Sequence, residues 1–406
     1  MKRMFLIVIL LISFPIIVSA SDIPVARIGN TYYDTLEDAI NASTGNDVIT
    51  MVSNLHLIET RDINKDVTIN LNGYTISKDN LVFRVQKGSL TLIGKGTIRE
   101  TDPYYAPILL KGSTNVSDTN YTSLTIDGDI LLEGWSGVFI DQNVNKGYGI
   151  NVSLNNARIN SLKDSTGVTG SGVYVNGKIK DNNNYPVINI KNVTINSNGV
   201  GIYQAGYAKI IIENSNINGD EASIGIKSGI LNIESGNFTA HGPEKIPTSG
   251  SSSGINPTGT TIQIESNSDY KGDIVINING GTFKSMNSHV IYEYIGKGTS
   301  TRVSNFLITG GTFISDKDNF LLSSSFISKN SPFIKGGTYT SDPSSYVVSG
   351  YKTENSNSDY VVSPVFNEKV MEVSNHRYGI ITTLILGIVL VSTTLYILNS
   401  KRRKHY

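Results

Sequence analysis

The chain contains no cysteine among its 406 residues. Disulfide bonds, thiolate metal ligands and cysteine nucleophiles are therefore excluded. If the protein is exported, its stability outside the cell must come from apolar packing and from a hydrogen-bonded backbone. Proline is also scarce, at 11 residues, whereas 39 glycines and 21 tyrosines give the composition the character of strands and turns rather than of a helical domain.

Residues typical of catalytic motifs are scarce as well. Of 5 histidines, His376 and His405 lie beside or beyond an apolar C-terminal segment, so the sequence indicates neither a metal cluster nor a catalytic triad. There is no Asp-Asp pair, no Gly-His-Gly and no Arg-Ile-Lys. The facing carboxylates of glycoside hydrolases, and the Ca²⁺ ligands and base of polysaccharide lyases, are thus not recognisable. We predict no catalytic, cofactor-binding or metal-binding residues and no cofactor, and a non-enzymatic protein is favoured over an enzyme.

The chain also lacks a strong net charge, with 34 Lys plus Arg against 34 Asp plus Glu. Six of the basic residues lie in the two ends of the chain, at Lys2, Arg3 and residues 401–404, which leaves 28 basic against 34 acidic residues between them. Because nucleic-acid-binding surfaces are basic, this mildly acidic middle argues against a nucleic-acid partner.

The N-terminus resembles an export signal. Residues 1–21 combine a positive start at Lys2 and Arg3, an apolar run, and the small residues Ser19 and Ala20 before the end of the segment. This arrangement is typical of a secretory signal peptide that is removed from the mature protein.

The C-terminus has the properties of a membrane anchor. Residues 379–398 contain no charged side chain. At about 1.5 Å per residue, a helix of this length spans the roughly 30 Å hydrocarbon core of a bilayer. Residues 401–404 are all Lys or Arg, and such clusters lie on the cytoplasmic side. We therefore predict a single-pass cell-membrane protein with a transmembrane helix at 379–398, a basic cytoplasmic tail at 399–406 and an extracellular N-terminal ectodomain.

A repeat runs through the ectodomain. Two apolar residues two positions apart are followed, five positions after the second, by a third apolar residue, and the copies are spaced by about 29 residues on average. The copies are Ile69-Leu71-Ile76, Thr91-Ile93-Ile98, Leu124-Ile126-Leu131, Val152-Leu154-Ile159, Ile188-Ile190-Ile195, Ile210-Ile212-Ile217, Leu231-Ile233-Phe238, Ile276-Ile278-Phe283, Phe306-Ile308-Phe313 and Pro332-Ile334-Tyr339.

The repeat predicts a stack of coils. Side chains two apart point to one face of a strand, so each copy provides an inward-facing strand, a corner and the start of a second strand. The corner position carries residues that enter left-handed backbone conformations at low cost. They are Gly73, Gly128, Gly280, Gly310, Gly336, Asn156, Asn192 and Asn214. The variable spacing suits a solenoid, because loops between strands can differ in length while the strands keep their register.

The predicted fold is all-β, a right-handed parallel β-helix at residues 22–350 with a short N-terminal capping helix. The segment Asp34-Thr35-Leu36-Glu37 resembles a helix cap with Glu at the third position, and Leu36, Ala39 and Ile40 share one apolar face of the helix. Residues 243–259 and 176–186 are expected to be loops that leave the coil. Residues 351–378 are expected to form a terminal coil and a stalk that leads to the membrane.

Two groups of segments resemble a known family. The stretch at 25–40, Val-Ala-Arg-Ile-Gly-Asn-Thr-Tyr-Tyr-Asp-Thr-Leu-Glu-Asp-Ala-Ile, is followed by Thr-Ile-Asn-Leu-Asn-Gly-Tyr-Thr-Ile at 68–76, and Gly-Gly-Thr-Phe or Gly-Gly-Thr-Tyr recurs at 280, 310 and 336. Together they resemble the pectate-lyase-like β-helix domains of bacterial surface proteins. The resemblance implies the fold, over residues 25–365, and leaves the activity open because one fold supports many functions.

Only weak candidates for a site remain. Asp127, Asp129 and Asp141 would make a carboxylate patch, although solvated carboxylates at a turn are the favoured interpretation. His241 and His289 are isolated. Several tyrosines would offer flat faces to sugar rings; they are Tyr104, Tyr105, Tyr203, Tyr207, Tyr270, Tyr292 and Tyr294.

Three functions therefore compete at this point. The leading hypothesis is a membrane-anchored surface protein that acts in adhesion or recognition, with an extracellular polysaccharide or another surface protein as its partner. The second is a carbohydrate-active enzyme, a polysaccharide lyase or glycoside hydrolase, with an unrecognised site. The third is a structural spacer with no ligand.

Overall fold

The computed structural model describes residues 23–142, 147–177, 184–251, 254–323 and 332–365, and within them the chain forms three long sheets. Each turn of the chain contributes one strand to each sheet in the order A, B, C. Every strand then pairs in parallel with the corresponding strand of the next turn, except at the two ends. The described part is therefore a β-solenoid, as the repeat predicted, and the sheet strands account for its all-β character.

The strands of the three sheets are as follows. In sheet A they are Ala26–Ile28, Thr31–Tyr33, Val48–Met51, Val67–Asn70, Gly88–Ile93, Thr122–Asp127, Ile150–Asn155, Val187–Lys191, Lys209–Glu213, Gly229–Ile233, Ile274–Ile278 and Val303–Ile308. In sheet B they are Leu55–His56, Thr75–Lys78, Gly96–Glu100, Ile130–Gly134, Arg158–Ser161, Thr194–Ser197, Ser215–Gly219, Gly236–Ala240, Thr282–Ser285, Thr312–Ser315, Gly337–Tyr339, Tyr351–Ser356 and Asp359–Pro364. In sheet C they are Arg61–Ile63, Phe83–Val85, Ile108–Lys111, Val138–Gln142, Ser171–Gly177, Val200–Gln204, Ala222–Ile226, Ile262–Asn267, Ile291–Lys297 and Leu321–Ser323.

The core lies between the three sheets and consists of continuous columns of apolar side chains. Ile190, for example, pairs in register with Leu154 of the previous coil and with Ile212 of the next, and all three are buried. At the C-terminal end the sheet B column becomes aromatic. Its rings stack with centroids 4.8–4.9 Å apart and nearly parallel planes. These residues are Phe238, Phe283, Phe313 and Tyr339.

The sequence placed one sheet A strand on the wrong face and another out of register. In Gly88–Ile93, Leu90 and Leu92 face the core, whereas Thr91 and Ile93 are only partly buried. In the first copy Ile69 and Leu71 are buried as predicted, but Val67 and Ile69 are the residues that align with the apolar pairs of the later coils, because Val67 pairs with Leu90. Where apolar residues occur at adjacent positions, either face of a strand can be read as the inner one, and only the pairing across coils decides.

A similar shift occurs in sheet B. Leu132, rather than the predicted Leu131, aligns with Ile98 and Ile159 and is fully buried. The physical cause is the same, since Leu131 and Leu132 are adjacent and apolar. The third strand of each coil, which forms sheet C, was not recognised from the repeat at all. Its spacing from the other two varies because loops precede and follow it.

The corners between sheets A and B have the backbone that the sequence predicted at the asparagines. Asn156, Asn192 and Asn214 have φ of 57°, 54° and 47°. Their side chains also form a ladder from coil to coil, because Asn214 Nδ2 donates to Asn192 Oδ1 at 2.7 Å and Asn192 Nδ2 donates to Asn156 Oδ1 at 3.2 Å. The corner asparagines therefore tolerate the left-handed turn and also link neighbouring coils.

In the Gly-Gly-Thr copies the turn lies one residue later than predicted. Gly281, Gly311 and Gly337 have φ of 105°, 107° and 108°, whereas the first glycine of each pair has no positive φ. A Cβ at Gly281 would lie 3.0 Å from the carbonyl oxygen of Gly236 in the coil below, so close packing of the coils adds to the conformational reason for glycine.

The corner ladder leads to a first prediction. Asn192→Ala should lower the free energy of unfolding by about 1–2 kcal/mol, because alanine lacks the short polar side chain that makes asparagine tolerable at this positive φ and also loses the ladder contacts. Asn192→Gly is the matched control, since it loses the same ladder contacts without the strain. In urea titrations we expect the glycine variant to be more stable than the alanine variant, the reverse of the usual order inside regular structure. An alanine variant as stable as the glycine variant would contradict the assignment.

Both ends of the solenoid are closed by local structure. The helix Leu36–Ala42 packs on the N-terminal end, where Thr35 Oγ1 accepts from the Asp38 amide at 3.0 Å and Leu36, Ala39 and Ile40 are buried as predicted. At the other end, after the 3₁₀ turn Ser344–Tyr346, the hairpin Tyr351–Ser356 and Asp359–Pro364 pairs antiparallel with Gly337–Tyr339. The sequence predicted a terminal coil and stalk here, and the hairpin gives the first part of that segment a defined place on sheet B.

The predicted membrane elements lie outside the described residues. These are the signal peptide at 1–21, the transmembrane helix at 379–398 and the tail at 399–406. Within residues 23–365, apart from the gaps given above, no helix is long and apolar enough to cross a bilayer. The described residues of the first predicted loop, 243–251 and 254–259, carry neither helix nor strand, and most of the second predicted loop is not described.

Candidate functional site

The outer face of sheet C carries an aromatic ladder. Outward-facing residues of four consecutive coils align in register, namely Leu109, Phe139, Tyr174 and Tyr203. Tyr105, in the loop before Ile108–Lys111, stacks on Phe139 with a centroid separation of 4.8 Å, and Phe139 stacks on Tyr174 at 4.8 Å. These four side chains form a second apolar cluster outside the central core and are themselves only 1–8% exposed. The surface of this cluster is therefore formed by the residues around it, Tyr104, Tyr105 and Trp135.

Trp135 lies beside this ladder and lines a cleft, here named the Trp135 cleft. Its ring centroid is 5.6 Å from that of Tyr174, and its indole N–H donates to the carbonyl of Val168 at 3.2 Å. The cleft has a volume of about 240 Å³. Glu221 lines it and accepts from Thr169 Oγ1 at 2.9 Å, and burial raises the pKa of Glu221.

A second, larger cleft of about 450 Å³ lies at the N-terminal end of the same ladder and is named the Arg84 cleft. Arg84, Lys111 and Asp141 line it together with Tyr104 and Tyr105. Lys111 and Asp141 are neighbours in register on adjacent strands, and Arg84 pairs with Asp62 at 3.2 Å. The Arg84 cleft thus combines charged hydrogen-bonding groups with two tyrosines, one of which, Tyr104, is 70% exposed.

Glu100 links the residues of the two clefts through its buried carboxylate. It ends the strand Gly96–Glu100 with its side chain inward and only 2% exposed. One carboxylate oxygen accepts from the Trp135 amide at 2.8 Å and the other from the Tyr105 amide at 3.2 Å. Burial raises the pKa of Glu100 to about 7, and these backbone donors partly oppose that rise by favouring the charged form. A Cβ at Gly134 would lie 2.6 Å from Glu100 Oε2, so glycine there leaves room for the carboxylate.

Farther along sheet C lies a buried ion pair. Lys227 Nζ is 3.1 Å from Glu265 Oε2, and the two side chains are 0% and 1% exposed. Tyr294 donates its hydroxyl to Glu265 Oε2 at 2.8 Å, and Asn267 Nδ2 donates to Oε1 at 2.7 Å. The ammonium group lies 5.1 Å from the centre of the Tyr270 ring. Burial lowers the pKa of Lys227, while Glu265 opposes that effect.

The loop between Gly236–Ala240 and Ile262–Asn267 covers this ion pair. The Ser251 carbonyl accepts from Lys227 Nζ at 2.8 Å and from Asn267 Nδ2 at 3.1 Å. Ile255 packs against the outer aromatic cluster above Gly225, where a Cβ would lie 2.8 Å from Ile255 Cγ2. The loop therefore closes the middle of sheet C, and its residues Gly254, Ile255 and Pro257 form part of the wall of the Trp135 cleft.

The carboxylates considered from the sequence lie in different places. Asp129 is paired with Arg158 at 2.9 Å and with Lys95 at 3.5 Å, and its hydrogen bond and charge interaction with Arg158 lower its pKa. Asp127 accepts from Asn155 Nδ2 at 3.0 Å at the same corner of sheets A and B. Asp141 is on sheet C. Asp127 and Asp129 thus take part in contacts between coils, and Asp141 contributes to the Arg84 cleft.

The two histidines considered from the sequence, His241 and His289, are also apart. His289 Nε2 lies 3.2 Å from Glu244 Oε1, and its Nδ1 contacts the Asn319 carbonyl at 2.7 Å. His241 lines a shallow polar hollow on sheet B with Asn196 and Asn218. In the part of the chain that the structure describes, no group of three His, Asp or Glu side chains is arranged to hold a metal ion.

The prediction that tyrosines present flat faces was wrong for five of them. Tyr203, Tyr207, Tyr270, Tyr292 and Tyr294 are only 1–8% exposed. Tyr104 is exposed, and Tyr105 is partly buried.

The sequence analysis missed Trp135, Glu100, Lys227 and Glu265. As the only tryptophan in the chain, flanked by Gly134 and Ser136-Gly137, Trp135 was the one recognisable signal.

No protein-family model matches the chain, and no curated protein or solved structure is significantly similar to it. The geometry of the outer face of sheet C is therefore the basis for a functional conclusion.

Proposed function

We propose that this protein is a membrane-anchored cell-surface protein that binds an extracellular glycan on the outer face of sheet C and acts in adhesion or recognition. The observation that carries the proposal is the pair of clefts at Trp135 and Arg84, where Tyr104 is exposed and Tyr105 and Trp135 are partly exposed beside the aromatic ladder. Sugar rings stack their apolar faces on aromatic side chains, and their hydroxyl groups bind carboxylates, guanidinium groups and ammonium groups. Tyr104, Tyr105 and Trp135 supply the aromatic surface, and Arg84 and Glu221 are among the polar groups.

The proposal extends to the finer description of the fold. We propose that the solenoid is right-handed, because parallel strand connections are right-handed in nearly all proteins. The resemblance to pectate-lyase-like domains of bacterial surface proteins is part of the same proposal. The signal peptide and the apolar C-terminal segment support placement at the cell membrane with the solenoid outside.

A glycan array with the full-length protein in detergent micelles tests the proposal. The Trp135→Ala variant then tests whether the bound glycan contacts the Trp135 cleft. We expect the variant to bind the best glycan at least tenfold more weakly, or about 1.4 kcal/mol, because an aromatic stacking surface is lost. Tyr32→Ala is the matched control. Tyr32 is 60% exposed at the N-terminal end of sheet A, away from the clefts.

Several results would count against the proposal. Equal affinity of the Trp135→Ala variant would place binding elsewhere. Binding only to another surface protein would keep the recognition role and remove the glycan. No ligand of either kind would favour a structural spacer.

The second candidate is a carbohydrate-active enzyme, and the cluster of Lys227, Glu265 and Tyr294 favours it because such groups transfer protons in catalysis. Its burial beneath the loop weighs against this role, since a substrate could not reach it in the described conformation. Assays for new reducing ends and for unsaturated products on the glycans that bind would decide between the two. Turnover would overturn the non-enzymatic proposal, and binding without turnover would support it.

A further inference from the structure

The buried carboxylate of Glu100 binds the backbone of two aromatic residues of the proposed glycan site, Tyr105 and Trp135. Glu100 comes from sheet B, but its two oxygens accept from the amides of Tyr105 and Trp135, residues that the sequence separates from Glu100 by 5 and 35 positions. Tyr105 lines the Arg84 cleft, and Trp135 lines the Trp135 cleft. The backbone of Tyr104 and Ala106 also interacts with the carboxylate. The loop that carries Tyr104 and Tyr105 and the turn that carries Trp135 are therefore fixed relative to each other through a single side chain.

We propose that Glu100 is the positioning residue of the glycan site, whose ionised carboxylate aligns Tyr105 and Trp135 and whose protonation loosens both, so that the site senses pH. This inference rests on the proposed function for the role of the aromatic residues. Its physical basis is that hydrogen bonds to a charged acceptor are roughly twice as strong as those to a neutral one. A neutral carboxyl also has one oxygen that carries a proton and accepts poorly.

The pH range follows from the surroundings of Glu100. Because burial raises its pKa to about 7, the carboxylate is ionised at pH 8 and mostly protonated below pH 6. The aligned form of the site is thus the one at higher pH, and binding weakens as the pH falls through about 7. Tyr105 does not titrate in this range, because burial raises its pKa above the ordinary value of 10.

The charged neighbours of Glu100 are occupied with other partners. Lys78 is beside it in register, but its Nζ binds Asn80 Oδ1 at 3.1 Å. Arg99 and Glu133 pair with each other at 2.7 Å. Asp102 and Asp79 lie in the adjoining turns, where their backbones are hydrogen-bonded. His56 Nε2 lies 3.7 Å from Asp79 Oδ1, so a variant at His56 serves as a control.

The test uses the intrinsic fluorescence of Trp135, the only tryptophan in the chain. In the full-length protein without ligand we expect its emission to shift in one transition between pH 5 and 8.5 with a midpoint near the Glu100 pKa of about 7. Glu100→Gln should abolish the transition and fix the emission near the acidic value of the wild type. Two controls should retain it. They are His56→Gln, which removes the neighbouring imidazole, and Glu221→Gln, which removes the other carboxylate near Trp135.

A second measurement requires no variant. Hydrogen exchange in the wild type, corrected for the intrinsic effect of pH, should show the protection of the Tyr105 and Trp135 amides falling together below the midpoint. A flat emission profile, a transition that persists in Glu100→Gln, or unchanged protection of both amides would overturn the inference. If the transition depends on Glu100 but no glycan binds, the positioning role holds and the proposed function fails. If glycan binds with the same affinity at pH 5.5 and 8, the pH sensing fails and glycan binding stands.

Discussion

Replacing Ile190 by aspartate is expected to destabilise the solenoid by several kcal/mol. Ile190 is 1% exposed and lies between Leu154 and Ile212 in the sheet A column. A carboxylate there would be buried against apolar side chains, and burying a charge without a partner is among the largest single-residue costs known. We expect the urea midpoint of the Ile190→Asp variant to fall far below that of the wild type, or the variant to accumulate as aggregate.

A matched substitution on the same strand isolates the cause. Asn189 is exposed on the outer face of Val187–Lys191, so Asn189→Asp introduces the same carboxylate one residue away, in water. We expect its stability to lie within about 0.5 kcal/mol of the wild type. If both variants melt alike, the assignment of inner and outer faces of sheet A is wrong. A solenoid in which local unfolding is confined to a few coils would instead show two transitions for Ile190→Asp.

The second large effect concerns the buried ion pair. Lys227→Met should cost about 3–5 kcal/mol, because removing one partner of a buried ion pair leaves the other, Glu265, buried without its cation. The remaining donors to that carboxylate, Tyr294 and Asn267, are neutral and compensate only in part. The measurement is chemical denaturation at pH 7.5 with the loop region monitored by proteolysis.

The double variant is the control for this prediction. Lys227→Met with Glu265→Gln removes both charges and keeps a side-chain oxygen that can accept from Tyr294. We expect it to recover most of the lost stability, since replacing a whole buried pair costs far less than breaking it. A double variant as unstable as the single one would show that packing of the lysine, and not the unpaired charge, is what matters. Added proteolysis between residues 241 and 261 in the single variant alone would tie the pair to closure of the loop.

The residues on the inner face of each strand could be predicted from the sequence, whereas those on the outer face could not. The inner columns could be predicted because burial imposes a strict rule of two apolar side chains two positions apart, repeated in every coil. The corner asparagines could be predicted because few residues accept their backbone conformation. The prediction failed where two adjacent residues were both apolar, as at Leu131 and Leu132, since both faces then satisfy the rule.

The outer face follows no such rule, and the candidate site lies there. Which outward side chains become neighbours depends on the register between coils, and that register depends on loops of different lengths. Lys227 meets Glu265 only because the loop between Gly236–Ala240 and Ile262–Asn267 returns the chain to sheet C in the correct register. The five tyrosines that had been expected at the surface are only 1–8% exposed.

The sequence by itself determined that this chain winds into a β-solenoid with a capping helix, because repeated apolar spacing and turn residues act locally and in every coil. It also predicted, from charge and apolarity alone, an exported chain anchored in a membrane. Only the tertiary structure decided that Glu100 holds Tyr105 and Trp135, and that an aromatic ladder faces outward on sheet C. The physical reason is that these contacts join residues of different coils, whose alignment no local preference encodes.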